Sequence, residues 1–141
     1  MAFFYVGNWG QCDDLCKRAL NPMIQKYEDL LDHVLETWVS SESEWVRRGS
    51  AVCMIRSEKS RYVCDIEFDR VKAVVSGLSQ DKNRFVQKAT GWLLKAASLK
   101  HKKKVIQYLE KNVSQLSRLS FRYATENLEH KERNELLNIE V

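Results

Sequence analysis

The sequence predicts an all-α protein, an α-α superhelix whose helices form a single domain over residues 1–141. Helical periodicity of the apolar residues runs through nearly the whole chain, and no stretch alternates as a β-strand does. The chain has one proline and five glycines, so few residues interrupt its helices. A helical segment also recurs along the chain, which predicts stacked helical repeats.

Short polar segments divide the chain into predicted helices. Asn21 and Pro22 indicate a helix start, with Asn21 as the N-cap and Pro22 at the first helical position. Ser41 and Glu44, three residues apart, predict a capping box. The polar stretch 57–61 is predicted to be a break between two helices. The predicted helices cover 11–20, 22–38, 43–56, 64–78, 82–98, 102–112, 117–128 and 130–138.

The repeat aligns three segments that begin at residues 44, 84 and 118. A unit of two helices with a period near 40 residues is typical of HEAT-like repeats. Equivalent helices of such repeats stack side by side, so equivalent side chains lie along one face. Arg48, Lys88 and Arg122 occupy equivalent positions, and we expect them to form a basic row that tracks a phosphate backbone.

Charge is unevenly distributed along the chain. The net charge is +4, but residues 11–46 hold eight acidic and three basic side chains, and residues 81–122 hold eleven basic and two acidic ones. This asymmetry indicates a surface for an anion, most commonly a nucleic acid. A solvated basic face that binds nothing is the alternative, and charge alone does not decide between them.

Other features of the composition predict the cellular compartment and argue against a membrane span and a metal site. No stretch approaches the roughly 18 to 20 apolar residues of a membrane span. The apolar start of the chain lacks a charged n-region, so we expect an intracellular, cytoplasmic protein. Its cysteines are predicted to be reduced, partly buried thiols, and their spacing fits no zinc site, so no metal is expected. They are Cys12, Cys16, Cys53 and Cys64.

Trp9, Asp13 and Lys17 are spaced four residues apart, so a helix places an indole, a carboxylate and an ammonium on one face. Together with two later segments, this stretch resembles the alkylpurine DNA glycosylases of the DNA alkylation repair family. The similarity runs from about residue 8 to about residue 128. The three segments are NWGQCDDLC at 8–16, SESEWVRRGSAV at 41–52 and FVQKATGWLLK at 85–95.

The resemblance implies a concave, basic surface of HEAT-like repeats that binds double-stranded DNA. It implies hydrolysis of the N-glycosidic bond of cationic alkylated purines, such as 3-methyladenine and 7-methylguanine, without a deep base pocket, metal or organic cofactor. Asp13 would stabilise the cationic sugar and orient the attacking water. Trp9 and Trp92 would offer aromatic faces to the lesion, and Arg48 would hold a phosphate near it. The expected DNA-binding residues are Arg47, Lys88, Lys95 and Arg122.

Each of these residues also has a structural interpretation. Asp13 is also explained as an acidic residue in the first turn of a helix, where its charge interacts favourably with the helix dipole. Arg48 is spaced to pair with Glu44 one turn earlier. Trp92 has apolar neighbours and, without the resemblance, fits the core. This chain has Lys95 where an arginine would fit the family pattern better. An arginine there would hold a phosphate with two hydrogen bonds, so the lysine slightly weakens the resemblance.

A second hypothesis for the function therefore stands beside the enzyme. Family members carry several more helices before the Trp-x-x-x-Asp motif, whereas few residues precede Trp9 here. A HEAT-repeat module that binds DNA or a protein without catalysis is the alternative. The apolar segment MAFFYV at 1–6 further suggests packing against a partner surface, including a homodimer through this N-terminus.

Overall fold

The computed structural model describes residues 7–140, apart from the side chain of Glu28, and confirms an all-α helical repeat with one small hairpin. The predicted dimer contact through residues 1–6 lies outside the described residues. The α-helices are α1 Trp9–Leu15, α2 Asn21–Lys26, α3 Glu28–His33, α4 Glu44–Val52, α5 Phe68–Leu78, α6 Arg84–Ala97, α7 Lys102–Lys111, α8 Arg118–Ala124 and α9 His130–Leu137. π-Helical segments cover Cys16–Leu20 and Val34–Trp38, and the strands are β1 Arg56–Glu58 and β2 Arg61–Val63.

The helix start predicted at Asn21 is wrong, because the chain stays helical from α1 through α2. Asn21 itself is helical, with φ −61° and ψ −48°, and its side chain donates to the carbonyl of Cys53 at 2.8 Å. The π-helical segment widens the turn before Pro22, which has no N–H to donate into the helix. The helix instead ends at Tyr27, whose backbone is extended.

The predicted capping box of Ser41 and Glu44 is also not formed. Ser43 is the N-cap of α4, and the Ser41 hydroxyl accepts from the backbone N–H of Ser43 at 3.2 Å. Arg47 donates to the carbonyls of Ser41 and Glu42 and so holds this turn from within α4. The loop is therefore closed by a side chain of the following helix, not by reciprocal capping.

A two-stranded antiparallel hairpin occupies the stretch that the sequence predicted as a break. Its pairs are Arg56 with Val63, Ser57 with Tyr62 and Glu58 with Arg61, and Lys59 in the turn has a φ of 55°. The helices predicted over 43–56 and 64–78 are correspondingly shorter at the ends that face it. Strands of three residues are too short for alternation to reveal.

The three repeat-equivalent helices pack side by side in the order α4, α6, α8, as the repeat predicts. Helix α1 packs on α4, while α5 and α7 contact α6 from a second layer. Helices α6 and α8 approach closely at Gly91, where a Cβ would lie 2.5 Å from Cβ of Tyr123 and 2.6 Å from the carbonyl of Ser120. This order of helices brings Asp13 of α1 beside Arg48 of α4, and Arg48 reaches the first turn of α6.

Candidate functional site

A buried ion pair joins α1 to α4 where the resemblance places two catalytic residues. Arg48 donates from Nε to Oδ1 of Asp13 at 2.8 Å and from Nη2 to Oδ2 at 2.9 Å. Asp13 is 8% exposed and Arg48 is 6% exposed. The third guanidinium nitrogen, Nη1, donates to the carbonyl of Phe85 in the first turn of α6 at 2.6 Å. Arg48 therefore fixes the Asp13 carboxylate relative to α4 and α6.

Two completely buried thiols, one on α1 and one at the start of the π-helical segment that follows it, contact α4 beside this pair. Cys12 donates to the carbonyl of Trp45 at 3.3 Å, and Cys16 donates to the carbonyl of Gly49 at 3.8 Å. A hydrogen bond with Cys12, followed by burial, raises the pKa of the Cys16 thiol well above its ordinary value. The Cys16 thiol stays neutral, and both side chains act as small apolar spacers.

The cysteines are free, as predicted, and they are completely rather than partly buried. Burial raises the pKa of Cys53 above its ordinary value and raises that of Cys64 to about 12. Within residues 7–140, no group of three or more His, Cys, Asp or Glu side chains is placed to hold a metal ion. In the same range no helix is long and apolar enough to cross a membrane.

Trp9 lies one helical turn before Asp13 and presents its indole to solvent. Trp9 is the first residue of α1 and is 54% exposed. Asn8 caps the helix by accepting from the N–H of Gln11 at 2.9 Å, which fixes the direction in which α1 begins. The exposed indole therefore lies one turn from the buried carboxylate and is accessible to a ligand.

Trp92 is half-buried on α6, and its ring meets that of Tyr62 from the hairpin. The two ring centroids are 5.2 Å apart with an interplanar angle of 86°. The ammonium of Lys17 lies 4.6 Å from the Tyr62 centroid and 5.2 Å from the Trp92 centroid. We call Tyr62 and Trp92 the aromatic corner. Sequence reasoning missed Tyr62 because it lies on the hairpin that the sequence did not predict.

The four cationic residues expected to bind DNA differ in how the protein engages them. Arg47 pairs with Asp81 at 2.6 Å, and Lys95 pairs with Glu126 at 2.8 Å. Lys88 is half-buried, with Nζ 5.9 Å from the centroid of Phe85, and Arg122 is exposed. Within residues 7–140, Lys88 and Arg122 form no ion pair with a carboxylate, so their charges are available to an anion.

The predicted basic row is interrupted at Arg48. Its three guanidinium nitrogens already donate to protein oxygens, and the side chain is buried against Asp13 rather than paired with Glu44. The row therefore reduces to Lys88 and Arg122. The repeat correctly placed Arg48 on α4, but it contained no information about a partner 35 residues earlier in the chain.

Stacked helices, an exposed indole and a buried acid–arginine pair define a helical repeat protein with a candidate site across α1, α4 and α6. The family model for the DNA alkylation repair enzyme matches residues 2–128, so the chain belongs to the DNA alkylation repair enzyme family. The family implies a role in DNA alkylation repair with DNA as the substrate. A comparison with curated proteins finds no match to this chain.

Proposed function

We propose that this protein is a DNA glycosylase that hydrolyses the N-glycosidic bond of cationic alkylated purines in duplex DNA. The observation that supports this most is the Asp13 carboxylate, which Arg48 holds by two hydrogen bonds one turn after an exposed indole. Lys17 lies one turn further along the same helical face, and its ammonium is within cation–π distance of the Trp92 ring. Suitable lesions are 3-methyladenine and 7-methylguanine.

The proposed reaction breaks the bond between C1′ of the deoxyribose and the purine nitrogen. The electron pair of that bond leaves with the base, which becomes neutral because the lesion was a cation. Positive charge then develops on the sugar, as in glycoside hydrolysis, and a carboxylate beside it stabilises that charge. A water oxygen bonds to C1′ and releases a proton, leaving an abasic deoxyribose.

The geometry of Asp13 leaves room for this role. A carboxylate has about four acceptor positions, and Arg48 occupies one on each oxygen. The side chain of Asp13 is 11% exposed, so a small part of it reaches the surface. The remaining acceptor positions are those from which Asp13 would orient the attacking water.

Arg48 receives a different role from the one that the resemblance implied. We propose that it is a positioning residue for Asp13, because its guanidinium is committed to Asp13 and Phe85. Holding the carboxylate in place before the substrate arrives avoids reorganisation during the reaction. Phosphate contacts then rest on Lys88 and Arg122, whose charges the protein leaves available.

Arg47 and Lys95 already pair with carboxylates of the protein, so in this proposal they contact DNA only if those ion pairs open. Arg47 is tied to Asp81 and to two loop carbonyls, which favours a structural role. Lys95 shares its charge with Glu126 and lies at the rim of the cavity beside Trp92. A substrate of this kind implies a cytoplasmic, DNA-associated protein.

A non-catalytic repeat module that binds DNA or a protein is the second candidate. The burial of Asp13 favours it, since a carboxylate paired on both oxygens also serves as a structural link between α1 and α4. This candidate needs the charges of Lys88 and Arg122 but not the chemistry of Asp13. The two candidates therefore differ in what a variant of Asp13 does to a bound lesion.

The first experiment is to incubate the protein with methylated duplex DNA and to measure the release of free methylpurines. We expect release by the wild-type chain, and its loss in Asp13→Asn when circular dichroism shows that the variant is folded. Trp9→Ala removes an exposed side chain and keeps the buried pair, so it tests the site if Asp13→Asn fails to fold. No release, with salt-sensitive DNA binding retained, contradicts the glycosylase and supports the binding module.

A further inference from the structure

The aromatic corner of Tyr62 and Trp92 already holds a cation from the protein itself. Lys17 lies within cation–π distance of both rings, and its Nζ is 3.4 Å from the hydroxyl oxygen of Tyr62. A cation within about 6 Å of an aromatic centroid is attracted by the negative face of the ring. The three side chains come from the π-helical segment Cys16–Leu20, β2 and α6, so separate elements converge on one point.

The Lys17 ammonium occupies a position that the proposed substrate would use. Trp92 is one of the two indoles assigned to the lesion, and Lys17 follows Asp13 by four residues on the same helical face. A purine that carries a positive charge and stacks on this ring meets a like charge 5.2 Å from the ring centroid. Stacking there gains its full cation–π attraction only if the lysine moves away.

We propose that Lys17 competes with a cationic base for the aromatic corner, and that it limits the preference of this site for a cationic lesion by occupying the cation position until the base replaces it. This inference rests on the proposed function for the identity of the ligand. A lysine suits the role, because a compact ammonium on a flexible four-carbon stem can turn from the rings to a phosphate. Tyr62 contributes the second aromatic face and a hydroxyl that holds the lysine in the free protein.

The surroundings of the corner favour an exchange of partners. A cavity of about 190 Å³ lies beside Tyr62 and Trp92, and Arg61, Lys95 and Asn127 also line it. Arg61 is exposed on the hairpin, and Lys95 is paired with Glu126. Positive side chains at this rim attract the phosphates that flank a lesion, so a displaced Lys17 would find an anion within the same surface.

The test is the affinity of Lys17→Gln for two duplexes that differ by a single 7-methylguanine in place of guanine. Affinity for the unmodified duplex falls, because a positive charge near the DNA is lost. The ratio of the affinities for methylated and unmodified DNA rises about two- to fivefold, since the competing cation is gone. A ratio that stays unchanged or falls overturns the proposal.

Lys26→Gln is the matched control. Lys26 lies in the same helical run, and its Nζ is 5.4 Å from the centroid of exposed Tyr27, away from the corner. The substitution removes the same charge and the same type of ring contact. We expect the affinity ratio of this variant to equal that of the wild type; an equal rise in both variants assigns the effect to net charge and overturns the specific role of Lys17.

A second measurement follows Lys17 directly and does not depend on catalysis. Reductive ¹³C-methylation labels lysine ammonium groups, and ring currents should shift the Lys17 signal upfield in the free protein. Tyr62→Leu should reduce that shift, and methylated duplex should abolish it. A Lys17 signal that keeps its shift when the methylated duplex is bound overturns the exchange. If the protein releases no purine but the signal and the affinity ratio respond, the glycosylase proposal fails while this one stands.

Discussion

Arg48 and Asp13 lie 35 residues apart in the sequence, yet they form a two-point ion pair in which both residues are more than nine-tenths buried. Taking two charges out of water is costly, and their mutual attraction offsets that cost only while both are present. Either one alone is an uncompensated buried polar group. The stability of the α1–α4 contact is therefore tied to the same two groups on which the proposed chemistry depends.

Asp13→Asn should lower the free energy of unfolding by about 3–5 kcal/mol, because it leaves the Arg48 guanidinium buried without its anion. Urea denaturation followed by circular dichroism measures the change. The double variant Asp13→Leu/Arg48→Met removes both charges and should recover much of the loss.

Asp14→Asn is the control for that measurement. Asp14 pairs with Arg18 on the surface of the same helical run, with the two side chains 62% and 81% exposed. Such exposed pairs contribute little, so we expect a change of about 0.5 kcal/mol or less. Equal losses for Asp13→Asn and Asp14→Asn would show that the buried pair does not hold α1 against α4.

Gly91→Ala should destabilise the protein by about 1–3 kcal/mol, although alanine favours a helix interior. The new Cβ would lie within 2.6 Å of the α8 backbone at Ser120 and of Cβ of Tyr123, so the two helices must move apart. Thermal or urea unfolding measures the effect. Gly7→Ala, where the nearest atom is a side-chain oxygen at 3.8 Å, should be neutral within about 0.5 kcal/mol. A neutral Gly91→Ala would contradict the close packing of α6 on α8.

Local signals in the sequence predicted much of the fold. The helices expected over 102–112 and 130–138 are confirmed as α7 and α9 to within a residue, because polar segments and apolar periodicity mark both. Asn21–Pro22 has the same local signature as a helix start, but a π-helical turn and a side-chain bond to Cys53 override it. Local patterns fail where a contact distant in sequence supplies the deciding energy.

The candidate site, like the fold, was predictable only where it depends on local sequence patterns. Periodicity placed Trp9, Asp13 and Lys17 on one face, since that depends only on helix geometry. The partner of Arg48 and the contribution of Tyr62 depend on how α1 and the hairpin pack against α4 and α6. No spacing rule relates those residues, so the burial of the pair and the aromatic corner appeared only in the structure.

Arg122→Ala should weaken DNA binding and reduce the slope of log affinity against log salt concentration by about 0.9 if it contacts one phosphate. Its side chain is exposed, so stability should change little. Titrations of a fluorescent duplex at several salt concentrations give the slope.

Arg47→Ala separates a phosphate contact from a structural cation. Because Arg47 holds Asp81 and two loop carbonyls, its loss should lower stability by about 1–3 kcal/mol and leave the salt slope unchanged. A reduced slope in Arg47→Ala, without loss of stability, would place Arg47 on the DNA instead.

Arg56→Met should reveal an acid-dependent stabilisation of the hairpin. Hydrogen bonding from the Arg56 guanidinium holds the pKa of Asp65 below its ordinary value, and that of Glu58 shifts in the same direction for the same reason. Between the lowered folded pKa and the unfolded value of about 4, the unfolded chain binds more protons, so stability rises with pH. The contribution is complete above about pH 5 and is lost as the pH falls through the folded pKa of Asp65.

The measurement is the free energy of unfolding of the wild type and of Arg56→Met from acid to neutral pH. The difference between them should be constant near neutrality and should shrink below about pH 4, when the carboxylates become protonated. Its size should be modest, because the Asp65 side chain is 37% exposed and water screens the pair. Arg18→Met, which removes an exposed partner of Asp14, should differ little from the wild type throughout. A difference between wild type and Arg56→Met that does not change with pH would mean that Arg56 stabilises the hairpin through packing and not through these carboxylates.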